Sequence, residues 1–453
     1  MYLSFRIIFL FIGANKLKHN DLKKLNNIII LLYYIDRMNK IVFFKIKELI
    51  VFFDQAIVSL CNFLIGFFLL KYIGLIDFGI FSIIWFTQYL INSLQMSFFI
   101  NILNTTQHST FKKQIFFNTT IFYCQILFTI ILILLFLFIL PFVFDFLKIN
   151  DVNHYLIIFF FSVFQLSNFL KRIFYKNNFY SFSLTINLII YLGSLIFIFL
   201  LKNNNILSLE NFFYSASFLC LISIFIFLNN LKKFISFSKR NINHFYEIWN
   251  YSKWLGLSSI MNFFCLNVWQ FYLASNISIT LLGVFRACSN LSSFLNVFFQ
   301  AFENIFPKKF SKIINKNSTG VSMLKYNFRF IKEVIIILAP FILISIFFSK
   351  EILFLVYKNE LIVNYNYIYI ITLLIVSISI FRYPIEYSLR SINSTKILFV
   401  SNLIPALLAL FFSNLIIVKF GINGFLFGAF LNQLLLTFLP IILFYIKHIK
   451  LND

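Results

Sequence analysis

Twelve apolar stretches, each long enough to cross a bilayer, occupy most of this 453-residue chain and leave little choice of fold. They run over residues 50–70, 79–103, 116–144, 153–170, 180–201, 211–230, 254–274, 280–305, 332–349, 363–381, 397–418 and 424–446, and are numbered here as spans 1 to 12. A hydrocarbon core of about 30 Å takes roughly 20 apolar residues to cross as a helix. Backbone amides in lipid must bond within their own segment, which a helix achieves. The expected fold class is an all-α integral membrane protein with about 12 transmembrane helices. A chain that is 61% hydrophobic and 12% charged is excluded from the soluble globular class, whose members are about half apolar and a quarter charged.

The cations set the topology. Of the 38 Lys and Arg residues, 31 fall in the N-terminal arm, the even-to-odd loops (counting Lys332, the first residue of span 9, with the loop before it) and the C-terminal tail, and 6 fall in the odd-to-even loops. Loops that stay in the cytoplasm collect positive charge. Both termini are therefore expected to be cytoplasmic. The net charge of +23 is read as topological, with contacts to membrane lipids, and no nucleic-acid partner is expected. The five cysteines all fall inside spans without a close pair, so no disulfide or zinc site is expected.

The division along the chain is expected to be an N-terminal arm (residues 1–49, poorly ordered or a misassigned start), a six-helix bundle (50–230), a basic linker (231–253), a second six-helix bundle (254–446) and a tail (447–453). Outer loops are short, so no external domain is predicted. The Gly79-Ile-Phe and Gly283-Val-Phe triplets each lie at or near the start of a span that follows a short outer turn. This match suggests parallel repeats, a transporter plan in which substrate binds between halves.

Polar residues inside the spans are few and patterned. In span 8, Arg286, Asn290, Ser293, Asn296, Gln300 and Glu303 step by three or four and so share one helix face. In span 2, Gln88, Asn92 and Gln95 repeat the pattern, and Asn62 lies in span 1. Such stripes either bond helix to helix or line a hydrated cavity. The length of the span 8 stripe favours the cavity. Asp54 and Gln55 enter span 1 just inside its cytoplasmic end, at a depth similar to Glu303. Asp54 either caps the helix start or serves with Glu303 in gating and coupling. Arg286 either snorkels outward or supplies the counter-charge for an anionic substrate. Prolines in or beside spans 9 to 12 offer hinges. Neither a phosphate-binding glycine loop, nor metal-ligand spacing, nor a nucleophile–base set is present. No cofactor and no enzyme activity are expected; the energy source would be a proton or sodium gradient.

Two motifs, Asp54-Gln-Ala-Ile-Val-Ser-Leu-Cys-Asn-Phe63 and Tyr72-Ile-Gly-Leu-Ile-Asp-Phe-Gly-Ile-Phe81, resemble the opening of Wzx-type polysaccharide flippases. These belong to the multidrug/oligosaccharidyl-lipid/polysaccharide exporter superfamily. Phe285-Arg-Ala-Cys-Ser-Asn-Leu, Leu295-Asn-Val, Gln300-Ala-Phe-Glu-Asn, Pro307, Tyr387-Ser-Leu-Arg390 and Phe420-Gly-Ile-Asn-Gly424 continue the likeness, which covers about residues 45–446. The resemblance implies two six-helix bundles in a pseudo-twofold, V-shaped transporter, with spans 1, 2, 7 and 8 around a central cavity. It implies residence in a bacterial inner membrane and, as substrate, a polyprenyl-diphosphate-linked oligosaccharide for O-antigen, capsule or similar lipopolysaccharide-type biosynthesis. A polysaccharide polymerase and a chain-length regulator would be partners. Apart from Lys332 at the very start of span 9, only Arg286 lies within a predicted span, where other members carry strongly cationic cavities. A multidrug-type exporter on the same fold is the alternative; a membrane polymerase would need a larger outer loop than Lys350–Ile362.

Overall fold

The computed structural model describes residues 19–105, 111–149, 152–235, 242–293, 295, 320–391 and 394–447. They are almost wholly helical, with no strand among them. Contacts divide the chain into two units, Met1–Phe53 and Asp54–Asp453. In the first, the described residues from His19 onward are helical, although this arm reads from sequence as poorly ordered. The physical reason is local: neither glycine nor proline occurs between Gly13 and Gly66, and both are what interrupts a helix most strongly.

Among the described residues, seven helices are long and apolar enough to cross a membrane. Two of these, Phe53–Leu103 and Thr395–Tyr445, are each broken inside by a glycine. Gly74 (φ 87°) and Gly421 (φ 62°) adopt backbone angles that side chains resist. Each break falls within a predicted outer turn, so spans 1 and 2 share the first helix and spans 11 and 12 the second. Lys113–Phe146, His154–Lys176, Tyr180–Asn203, Leu209–Leu231 and Asn366–Arg390 are spans 3, 4, 5, 6 and 10. Span 9 is a bent pair, Asn327–Ile336 and Leu338–Phe347, turning by 46°. The bend sits where the ring of Pro340 would meet the carbonyl four residues back. Spans 7 and 8 are the more polar helices Ile242–Asn276 and Ile279–Ser292. Eleven of the predicted spans thus have their helix, and span 8 has its first part, its remainder from residue 296 lying outside the described residues.

Local chemistry sets several boundaries. Asn153, Ser208 and Ser278 each cap the following helix by accepting a backbone N–H. π-helical turns interrupt span 2 at Met96–Ile100 and span 5 at Leu188–Leu192. Rings fill the N-terminal half: Phe81, Trp85, Phe160 and Phe213 pack at centroid distances of 5.0–6.4 Å. Outward-facing Phe138, Phe142, Phe411 and Phe427 remain exposed, as lipid-facing side chains would be.

The halves meet through a reciprocal contact. A Cβ on Gly79 would collide with the carbonyl oxygen of Ile279, and a Cβ on Gly283 with the carbonyl oxygen of Leu75. Leu75 and Ile279 are separated by 204 residues, as are Gly79 and Gly283. A contact in which each partner presents the same patch is the signature of a twofold relation. The faint triplet match in the sequence is therefore a packing site, with glycine needed on both sides for backbones to touch. At the other end of span 2, Ser97 Oγ lies 2.5 Å from Ser259 Oγ, and Ser252 Oγ donates to the Phe98 carbonyl at 2.8 Å. Span 2 thus touches the second half at both of its ends, by close backbone packing at Gly79 and by hydrogen bonds at Ser97 and Phe98.

Candidate functional site

Asp54 is fully buried. One carboxylate oxygen accepts from Asn187 Nδ2 at 2.6 Å and the other from the Tyr175 hydroxyl. The amide oxygen of Asn187 accepts from Lys171 Nζ at 3.1 Å, and Gln55 Nε2 donates to Tyr175 at 3.5 Å. Spans 1, 4 and 5 therefore converge on one node containing one acid and one base. Lys171 and Tyr175 stand one turn apart on span 4 and so point the same way. Asn187 immediately precedes the π turn of span 5, a distortion often found at functional sites. A buried carboxylate is tolerable because opposite charge and hydrogen bonds surround it.

The span 2 stripe joins the same face of span 4. Gln95 Nε2 donates to the Gln165 carbonyl at 2.9 Å, and Gln165 Nε2 to the Ile91 carbonyl at 3.5 Å. Asn92 Oδ1 accepts from both Gln88 and Asn168 at 3.3 Å. The buried amide oxygens of Asn62 and Gln88 take no hydrogen bond from the described residues.

Across the seam between halves, the Arg286 guanidinium lies 5.1 Å from the Phe86 ring centre and 6.0 Å from that of Tyr89, both on span 2. Cation–π attraction holds it there, and no carboxylate among the described residues pairs with it. One turn on, Asn290 Nδ2 donates to the Phe63 carbonyl at 3.1 Å, tying span 8 to span 1. In the second half, Arg382, Glu386 and Arg390 form an ion ladder on span 10. Asn402 Nδ2 reaches Ser258 Oγ at 2.9 Å.

The structure thus brings Asp54 and Gln55 into one node and sets Gln88, Asn92 and Gln95 against span 4. It places Arg286 and Asn290 at the seam. Asn296, Gln300 and Glu303 lie outside the described residues, so the lower half of the span 8 stripe is not placed. The expectation that Arg286 is the only cation within a span is corrected. Helix His154–Lys176 carries Lys171, which is 7% exposed, and helix Asn366–Ser391 carries Arg382, also 7% exposed. Sequence reasoning misses these, with Tyr175 and Glu386, because predicted spans 4 and 10 end one residue before the cation; Asn187, inside span 5, is missed because its partner Asp54 lies 133 residues away. The i, i+4 repeats Lys171–Tyr175 and Arg382–Glu386–Arg390 were the available signal.

No family model matches the chain, and no curated protein is similar to it in sequence. Solved structures are similar in fold. A multidrug resistance MATE family transporter of the MOP superfamily, in an inward-facing conformation, is 9% identical over 88% of this chain and 95% of its own, with a TM-score of 0.69. The lipid II flippase MurJ, in an inward closed conformation, is 15% identical over 88% and 87%, with a TM-score of 0.64. A MOP superfamily transporter from Pyrococcus furiosus, described as having a binding pocket of reverse polarity, is 11% identical over 90% and 95%, with a TM-score of 0.60. The chain therefore has the multi-pass, all-helical fold of these solved structures, an architecture that a multidrug MATE family transporter and the lipid II flippase MurJ share.

Proposed function

We propose that this protein is a flippase for a polyprenyl-diphosphate-linked oligosaccharide, moving it from the cytoplasmic to the periplasmic leaflet by alternating access. The observation that carries the reading is Arg286. A permanent cation at the seam, held on two rings and without a carboxylate partner among the described residues, suits an anionic substrate. The amides of Asn62, Gln88 and Asn92 supply groups that sugar hydroxyls can bond, and the fold is one that a lipid II flippase shares. Polymerase and chain-length regulator would act on the product.

Coupling is assigned to the node of Asp54. Lys171 already brings a positive charge to that carboxylate through Asn187. A proton moving on and off this pair would change its charge between states, without a need for sodium. Lysine can surrender its proton, which arginine does not. Ligands shift only those equilibria they bind differentially, so the node must differ between the inward and outward states.

Arg286→Gln is expected to cut surface glycan about tenfold or more, the scale of one lost charge-assisted contact, at unchanged protein level. Glycan blotting of a deletion strain complemented with the variant measures this. Unchanged glycan would remove the anion assignment. Drug resistance from overproduction, with glycan unaffected by deletion, would point to the multidrug exporter.

A further inference from the structure

The seam between halves holds a second contact, at the opposite end of span 2 from the glycine pair, that the coupling node does not use. Span 7 presents Trp249, Ser252, Gly256 and Ser259 at steps of three, four and three, so the four share one helix face. All four meet two consecutive residues of span 2. The Trp249 ring stacks on that of Phe98 at 6.5 Å, with 7° between their planes. Ser252 Oγ donates to the Phe98 carbonyl at 2.8 Å. A Cβ on Gly256 would come within 2.1 Å of the Phe98 ring, so the ring fills the notch that glycine leaves. The Ser97 and Ser259 hydroxyls lie 2.5 Å apart.

Ser97 and Phe98 sit in the π turn Met96–Ile100, where the Asn101 N–H bonds the Met96 carbonyl five residues back. Such turns occur often at functional sites. On its far side Phe98 packs on Phe128 of span 3 at 6.4 Å, and Phe99 on the same ring at 5.4 Å. The turn is therefore backed by its own half. Its contact with span 7 is of another kind: neutral, with two hydroxyl bonds and one ring in a glycine notch. Bonds between neutral polar groups in membranes are individually weak. Each serine can also turn back to a carbonyl of its own helix when its partner withdraws. The contact therefore parts without stranding a charge, unlike the node of Asp54.

We propose that this contact is an inner latch, an assignment that rests on the alternating-access reading. It is a charge-free clasp that closes the seam at the end that charge distribution assigns to the cytoplasm, and it parts for inward opening. Gly79 and Gly283 close the outer end of the same seam, so the halves touch at both ends of span 2. Each open state is then reached by releasing one contact while the other stays shut. Packed interfaces switch between discrete arrangements of this kind rather than deforming continuously.

The test uses the full chain in membranes, without substrate. With the five native cysteines changed to serine, Ser97→Cys/Ser259→Cys should form a disulfide in most molecules under mild oxidation. This is read as thiols lost to a polyethylene-glycol maleimide after denaturation, and each single variant should keep its thiol. Ser97→Cys alone should react slowly with an impermeant maleimide from the cytoplasmic side. Adding Gly256→Leu, which drives a side chain into the Phe98 ring, should speed that reaction at least several-fold. Phe98→Ala, which removes the ring rather than crowding it, should act in the same direction. In a background that keeps only Cys288, both changes should slow its labelling from the outer side, because inward opening keeps the outer end shut. Single variants that reach the membrane but give no disulfide when combined would overturn the latch. So would Ser97→Cys labelling that neither Gly256→Leu nor Phe98→Ala changes. Faster labelling at Ser97→Cys without slower labelling at Cys288 would make the contact local packing and overturn it too. No arm contains substrate, so loss of the flippase reading would leave these outcomes intact, and failure here would leave the glycan result of Arg286→Gln standing.

Discussion

Replacing Lys171 with methionine is expected to lower stability by about 3–5 kcal/mol, because it strands the Asp54 carboxylate among apolar helices. Asp54→Asn alone should be similarly harmful, since it leaves the buried ammonium with one amide oxygen for a partner. The double variant Asp54→Asn/Lys171→Met removes both charges and keeps the Asn187 and Tyr175 contacts within reach. It should recover most of the loss, a non-additivity that only residues sharing one site display. Thermal unfolding followed by size-exclusion in detergent gives the three values. Additive losses, or single variants melting with wild type, would mean the two residues do not share a buried node. The double variant also separates stability from coupling: it should fold and reach the membrane, yet fail to respond to a proton gradient.

Enlarging either seam glycine should open the outer contact between halves. Gly79→Leu and Gly283→Leu each drive a side chain into the backbone carbonyl of the other half, at Ile279 and Leu75 respectively. Overpacking of this kind costs about 1–3 kcal/mol, enough to shift a two-state equilibrium about five- to 150-fold. Because the contact is reciprocal, the two variants should behave alike. Buried Cys288 on span 8 is a native reporter. In a background with the other four cysteines changed to serine, an impermeant maleimide should label it slowly in the parent and at least several-fold faster in both glycine variants. Transport should fall in parallel. Labelling unchanged in both, or changed in one only, would show that this contact is not the shared outer closure.

The helices were legible in the sequence because a membrane imposes run length, and twelve runs of the right length leave few alternatives. The repeat was legible only as a three-residue match, since apolar helices tolerate most apolar residues and preserve little pattern. What survived were the two glycines, where geometry allows nothing larger. Asp54 stood out as a charge inside a span, but its partners did not. Asn187 lies 133 residues away, and Lys171 looked like one more cation in a basic cytoplasmic loop. The same confusion hid Arg382 and Glu386: near a helix end, sequence alone does not distinguish a cation that faces water from one that turns inward. Arg286 and Asn290 were found because their spacing is helical, although Asn290 proves to be spent on a backbone bond to Phe63.

The most direct test of the central claim is leaflet-resolved transport by the purified protein. Proteoliposomes would carry polyprenyl-diphosphate oligosaccharide on one leaflet, with an impermeant glycosidase on the other side and an imposed proton gradient. Wild-type protein is expected to make the sugar cleavable within minutes, Arg286→Gln and Asp54→Asn/Lys171→Met to do so no faster than protein-free vesicles, and dissipating the gradient to slow the wild type. Cleavage no faster than in protein-free vesicles, from a wild-type preparation that expels small cationic dyes, would contradict that claim.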